Sequence, residues 1–284
     1  MGVKRGVVFT GALSGTSTIA TGSAPQGICI SADGASVYAA NYTSNTVSIF
    51  TRDTSTGALS GTSTIGTGAR PYSVCISADG ANVYAANYTS NTVSIFTRNT
   101  STGALSGTST IATGARPYSV CISADGASVY TANQSSNTVS IFTRNTSTGA
   151  LSGTSTIAAG SATYSVCISA DGASVYTANA TGNTVSIFTR NTSTGALSGT
   201  STIATGSSPV SVCISADGIS VYAANSTNPG SVSIFTRNTS TGALSGTSTI
   251  ATGIYPTGVI VSADGTSVYV ANYSSNTVSI FTRS

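Results

Sequence analysis

A chain with no histidine and no glutamate has few ways to move a proton. General acid–base catalysis usually relies on His, Glu or Asp within reach of a substrate, so the aspartates are the first candidates. Six of the seven, Asp33, Asp79, Asp125, Asp171, Asp217 and Asp264, sit in the same tetrapeptide, Ser-Ala-Asp-Gly. They recur at spacings of 46, 46, 46, 46 and 47 residues. Ligands of one metal must converge on a shared point, and carboxylates spaced a whole repeat apart do not. Asp-Gly between two apolar runs reads instead as a tight hairpin turn. Cys29, Cys75, Cys121, Cys167 and Cys213 also share one repeat position, and Ile260 holds the sixth. A slot that accepts Ile is a packing slot, and buried free cysteine behaves as a small hydrophobe. Neither a disulfide framework nor a metal or cofactor site is expected.

Candidate binding chemistry lies where the repeats differ. One variable segment reads Ala24-Pro-Gln26, Arg70-Pro-Tyr72, Arg116-Pro-Tyr118, Ala162-Thr-Tyr164, Ser208-Pro-Val210 and Tyr255-Pro-Thr257. A second variable position carries Tyr42, Tyr88, Gln134, Ala180, Ser226 and Tyr273. Tyrosine offers a flat apolar face with a polar tip, and arginine a planar fork for carboxylate or phosphate. The candidate ligand-binding set is therefore Arg70, Tyr72, Arg116, Tyr118, Tyr164, Tyr42, Tyr88, Gln134, Tyr255 and Tyr273, for a carbohydrate or small anion. Drift in exposed loops is the competing explanation.

Four segments per repeat must position these residues. They run Tyr72–Ser77, Ala81–Ala86, Thr92–Arg98 and Gly103–Ile111, each rich in β-branched or aromatic residues and bounded by Gly, Asn, Asp or Pro. That is the signature of strands, and the unit reads as a four-stranded antiparallel meander. A period of this length marks a repeat array, and radial repetition of such sheets makes a β-propeller. The fold expected is all-β: a six-bladed propeller, one domain over residues 1–284. Its last blade combines residues 255–284 with residues 7–20, because the chain starts with a fourth-strand sequence and ends after a third strand. Asn41, Asn87, Asn133, Asn179, Asn225 and Asn272 close each second strand and are expected to lock turns. Both variable segments then fall at one mouth of the channel, opposite the Asp-Gly rim. The repeat arginines, Arg52 to Arg283, end the third strand on that rim, where an Asp–Arg contact within each blade is expected.

Segments such as Ser123–Asn133, Asn137–Phe142 and Thr148–Leu151 resemble the YVTN-type repeats of lactonase-like propellers. The resemblance spans essentially the whole chain. It implies that the Val-Cys-Ile strand is innermost and the Gly-Ala-Leu strand outermost. It also implies lactone processing, which in that family relies on His, Glu and Arg in the central funnel, and commonly seven blades. Six repeats and the missing His and Glu both depart from this pattern.

The expectation is therefore a non-enzymatic binding module with no catalytic residue. A ligand-free scaffold, naturally amplified or engineered, and a lactonase-like hydrolase are the alternatives. Net charge is +3 and charged residues are 6% of the chain, so no basic stripe for nucleic acid is present. No apolar run approaches a membrane helix, and the first residues are too short in apolar content for a secretory signal. A soluble monomer is expected, with cytosolic and secreted locations both left open and strand exchange between chains as the oligomeric alternative.

Overall fold

The computed structural model describes residues 17–283. Within them 23 strands form five four-stranded sheets and one three-stranded sheet, each an antiparallel meander. The first blade is β1 (Pro25–Ile30), β2 (Ser36–Asn41), β3 (Thr46–Arg52) and β4 (Leu59–Gly66). The second is β5 (Pro71–Ile76), β6 (Asn82–Asn87), β7 (Thr92–Arg98) and β8 (Leu105–Ala112). The innermost strands of the next four blades are β9 (Pro117–Ile122), β13 (Thr163–Ile168), β17 (Pro209–Ile214) and β21 (Pro256–Val261). They lie side by side in the order β1, β5, β9, β13, β17, β21. The Val-Cys-Ile strand is thus innermost and the Leu-Ser-Gly strand outermost. No helix among the described residues is long and apolar enough to cross a membrane.

Burial explains the composition of each strand. Middle strands are covered on both faces by neighbouring blades, so Val83, Tyr84, Ala85 and Ala86 are all fully buried. Side chains alternate between faces, so one face of β6 packs backwards and the other forwards. Tyr38, Val47 and Ile49 of the first blade accordingly pack against Val74, Val83 and Phe96 of the second. Outer strands have one exposed edge and are mostly Ser, Thr and Gly.

Arg98 shares a face with Phe96, two residues before it, and therefore points to the preceding blade. Its Nη2 pairs with Asp33 at 3.2 Å and its Nε donates to Tyr38 Oη at 2.7 Å, while Tyr38 Oη donates to the Gly103 carbonyl at 2.7 Å. Arg144, Arg190, Arg237 and Arg283 likewise pair with Asp79, Asp125, Asp171 and Asp217 at 2.6–2.9 Å. The expected contact within one blade is corrected: the arginine gives its own Asp-Gly turn only a bond to the glycine carbonyl. The ion pair instead bolts adjacent blades together.

The repeat asparagines are buried. Each donates from Nδ2 to two hydroxyls at the third strand, as Asn87 does to Thr92 (3.0 Å) and Ser94 (2.9 Å). Asn87 and its equivalents are 0–3% exposed. The cysteines are free.

The row of blades has two end faces. Ile28 on β1 is 68% exposed where its equivalent Val74 is 5% exposed, and Ile260 on β21 is 59% exposed. Residues 7–16, expected to complete the last blade, lie outside the described residues.

Candidate functional site

The backbone brings the two variable segments to one mouth. Tyr88 N–H donates to the Arg70 carbonyl at 2.9 Å, and Tyr42, Gln134 and Ala180 repeat the bond to Ala24, Arg116 and Ala162. A second tether reaches between blades: Asn45 Oδ1 accepts from Arg70 N–H at 2.7 Å, and Asn91 does so from Arg116 at 2.8 Å. These bonds hold Ala24, Arg70, Arg116, Ala162, Ser208 and Tyr255 at φ of 52–57°. Left-handed backbone is uncommon for a residue with a side chain. Because all six repeats share it, it belongs to the scaffold, which displays a different side chain from each blade on one fixed loop.

Eight of the ten candidate residues form a continuous patch over the first four blades. Tyr42 meets Tyr72 edge-on with ring centroids 5.8 Å apart. Tyr72 lies 3.7 Å from Tyr118 and 6.2 Å from Tyr88, and Tyr118 lies 4.4 Å from Tyr164. Tyr118 Oη donates to Tyr72 Oη. Arg70 stacks over Tyr42 at 5.2 Å and donates to its hydroxyl at 3.2 Å, and Arg116 stacks over Tyr88 at 5.5 Å. Gln134 lies beside the Tyr164 hydroxyl. Tyr255 and Tyr273 fall apart from this patch: both stand exposed in the sixth blade, beyond its ring contacts.

Burial pushes the Tyr72, Tyr118 and Tyr164 phenols above their ordinary range, Tyr118 furthest because it also donates to Tyr72. They remain protonated at neutral pH and act as hydrogen-bond donors. Two fixed cations beside protonated phenols favour an oxygen that carries or develops negative charge. The repeat aspartates take no part, being tied on the opposite rim. The left-handed display position could not be read from residue type, since Ala, Arg, Ser and Tyr all occupy it.

The sequence profile of the family described as Lactonase, 7-bladed beta-propeller matches residues 9–76, 64–170 and 172–284. No curated protein sequence matches the chain. Among solved structures, a protein of Bacteroides fragilis provisionally named a 6-phosphogluconolactonase is 26% identical. It superposes with a TM-score of 0.85, covering 94% of this chain and 82% of that one. A Bacteroides uniformis protein named in the same way is 23% identical, with a TM-score of 0.85 and coverage of 94% and 83%. The periplasmic gluconolactonase of Pseudomonas aeruginosa is 19% identical, with a TM-score of 0.82 and coverage of 94% and 83%.

These similarities correct the expectation of a non-enzymatic module, because the family and the named relatives point to lactone hydrolysis. The expectation treated a carboxylate or imidazole base as indispensable. A lactone already carries an electrophilic carbonyl, and stabilising the oxyanion formed on it is a sufficient route to catalysis.

Proposed function

Because the chain belongs to the lactonase family of seven-bladed β-propellers, we propose that it hydrolyses an anionic sugar lactone at the tyrosine and arginine mouth. The family match along the chain is the observation that carries this reading. The patch supplies the chemistry: Arg70 and Arg116 bind the substrate's anionic group and face the lactone carbonyl, and the flat tyrosine rings take the sugar. Water adds to the carbonyl carbon as solvent hydroxide takes its proton, charge collects on the carbonyl oxygen beside the guanidinium and phenol donors, and the ring C–O bond then breaks as the leaving oxygen takes a proton from water. The product is the open hydroxy acid. With no imidazole present the attacking water is activated by solvent hydroxide, so the rate rises steadily with pH.

The test is hydrolysis of gluconolactone and its 6-phospho form, followed by acid release in weak buffer. Turnover above the spontaneous rate is expected, with the phosphorylated lactone preferred. Arg70→Ala with Arg116→Ala lowers kcat/KM by about 10²-fold or more, the cost typical of losing an oxyanion donor. With the unphosphorylated lactone, which carries no group titrating there, the profile should show no inflection near a pH of about 6.5, where histidine titrates. Turnover no faster than the blank with either lactone would overturn the proposal.

A further inference from the structure

Asparagine followed two residues later by Ser or Thr, with no proline between them, is the acceptor signature for an N-linked glycan. The chain carries ten such triplets, in two sets. Six are headed by the buried repeat asparagines, Asn41, Asn87, Asn133, Asn179, Asn225 and Asn272. Their Nδ2 groups are committed to hydroxyls of the third strand, as Asn87 is to Thr92 and Ser94. The other four are headed by Asn99, Asn145, Asn191 and Asn238, each followed by Thr-Ser. They occupy the turn between the third and outermost strands of the second to fifth blades, and all three residues of each triplet are exposed.

The exposed asparagines use their side chains at one end only. Asn99 Oδ1 accepts from the Ser101 and Thr102 N–H groups at 3.0 Å each. Asn145, Asn191 and Asn238 repeat both bonds at 2.9–3.1 Å. Their Nδ2 groups bond no protein group among the described residues. The first blade shows that the turn does not need that nitrogen. Asp53 stands in its place and accepts from the Ser55 and Thr56 N–H groups at 2.8 and 2.9 Å. An acceptor oxygen is what such a turn requires, so the amide nitrogen stands free at the surface.

We infer that Asn99, Asn145, Asn191 and Asn238 are acceptor sites for an N-linked glycan. The donor class is an oligosaccharide carried on a lipid pyrophosphate. Nδ2 forms a bond to the anomeric carbon of the sugar, and the bond from that carbon to the pyrophosphate oxygen breaks. The lipid pyrophosphate leaves with the electron pair, and the amide nitrogen gives up one of its two protons. The product keeps Oδ1 and both turn bonds, so the fold accommodates the addition. These turns share the rim of the Asp-Gly turns, because a meander returns to the same end after its first and third strands. Glycans there leave the tyrosine and arginine mouth clear.

The test uses the purified, folded chain with a single-subunit oligosaccharyltransferase and a lipid-pyrophosphate-linked oligosaccharide, an unrelated acceptor peptide serving as the activity control. Transfer to Asn99, Asn145, Asn191 and Asn238 is expected, located by peptide mass spectrometry, with none at Asn87 and its buried equivalents. Asn99→Asp should remove one glycan and keep the turn, as Asp53 does. Ser101→Ala retains the backbone N–H that the turn uses but removes the hydroxyl of the triplet. It should abolish transfer to Asn99 and leave the other three sites at the unaltered rate. No transfer to the folded chain, equal transfer to Asn87, or transfer to Asn99 that survives Ser101→Ala overturns the inference.

Discussion

One hydroxyl separates two versions of the repeat asparagine. Among the described residues, Asn41, Asn87, Asn225 and Asn272 each leave a buried Oδ1 without a partner. In the third and fourth blades Thr131 and Thr177 replace the alanine two residues earlier, and their hydroxyls donate to Asn133 and Asn179 Oδ1 at 3.0 and 3.2 Å. An unsatisfied buried acceptor costs about 1–3 kcal/mol. Ala85→Thr should therefore raise stability by about 1 kcal/mol, and Thr131→Ala should lower it by a similar amount, read by urea denaturation. Opposite results would mean that the added side chain strains the packing more than the bond relieves it. The display position allows a second check: Ala162, at φ 57°, pays a steric cost that glycine avoids. Ala162→Gly should stabilise by up to about 1 kcal/mol, whereas glycine in an ordinary strand does the reverse.

At the scale of the strand, the third strand's arginine shows what the sequence made legible and what it did not. Strand number and strand order follow from the turn residues of the repeat, while the inner and outer edges were implied by the resemblance to YVTN-type repeats. The gathering of Tyr42, Tyr72, Tyr88, Tyr118 and Tyr164 at one mouth follows from the topology of a meander. The partner of Arg98 does not, because repeats offer every arginine two equivalent aspartates, one in its own blade and one in the neighbour. Only the face on which Phe96 and Arg98 both lie decides between them. The self-packing of the tyrosines was equally hidden, since residue type gives no ring distance. The consequence is two classes of arginine. Arg98 is 4% exposed and bonded on every arm, so Arg98→Ala should cost about 3 kcal/mol and speed unfolding. Arg70 stacks on a ring at the surface, and Arg70→Ala should cost about 1 kcal/mol or less while reducing lactone turnover. Equal losses of stability for the two would refute the division of labour.

For the whole molecule, the same inventory that limits catalysis sets the dependence of stability on pH. On the acid side, hydrogen bonds from the Ser31 and Ser215 hydroxyls, helped by backbone N–H groups and an arginine, hold Asp33 and Asp217 down to about 2, from an ordinary 3.8. Their stabilisation is complete above the unfolded value and is lost as pH falls from about 4 towards 2. On the alkaline side, burial pushes the Cys29, Cys121 and Cys213 thiols up to about 12, from an ordinary 9.0. Their contribution is complete below the unfolded value and is lost as pH rises from about 9 towards 12. Without histidine, no residue type in the chain has an ordinary side-chain pKa between about 5 and about 8. Thermal unfolding followed from about pH 5 to about pH 8 should therefore show a flat midpoint, with a fall on either side. Lactone turnover over the same interval should climb with hydroxide. Activity and stability then part company: a rate that rises across a flat melting plateau locates the pH dependence in the attacking water. A midpoint that moves together with the rate would place it in the fold.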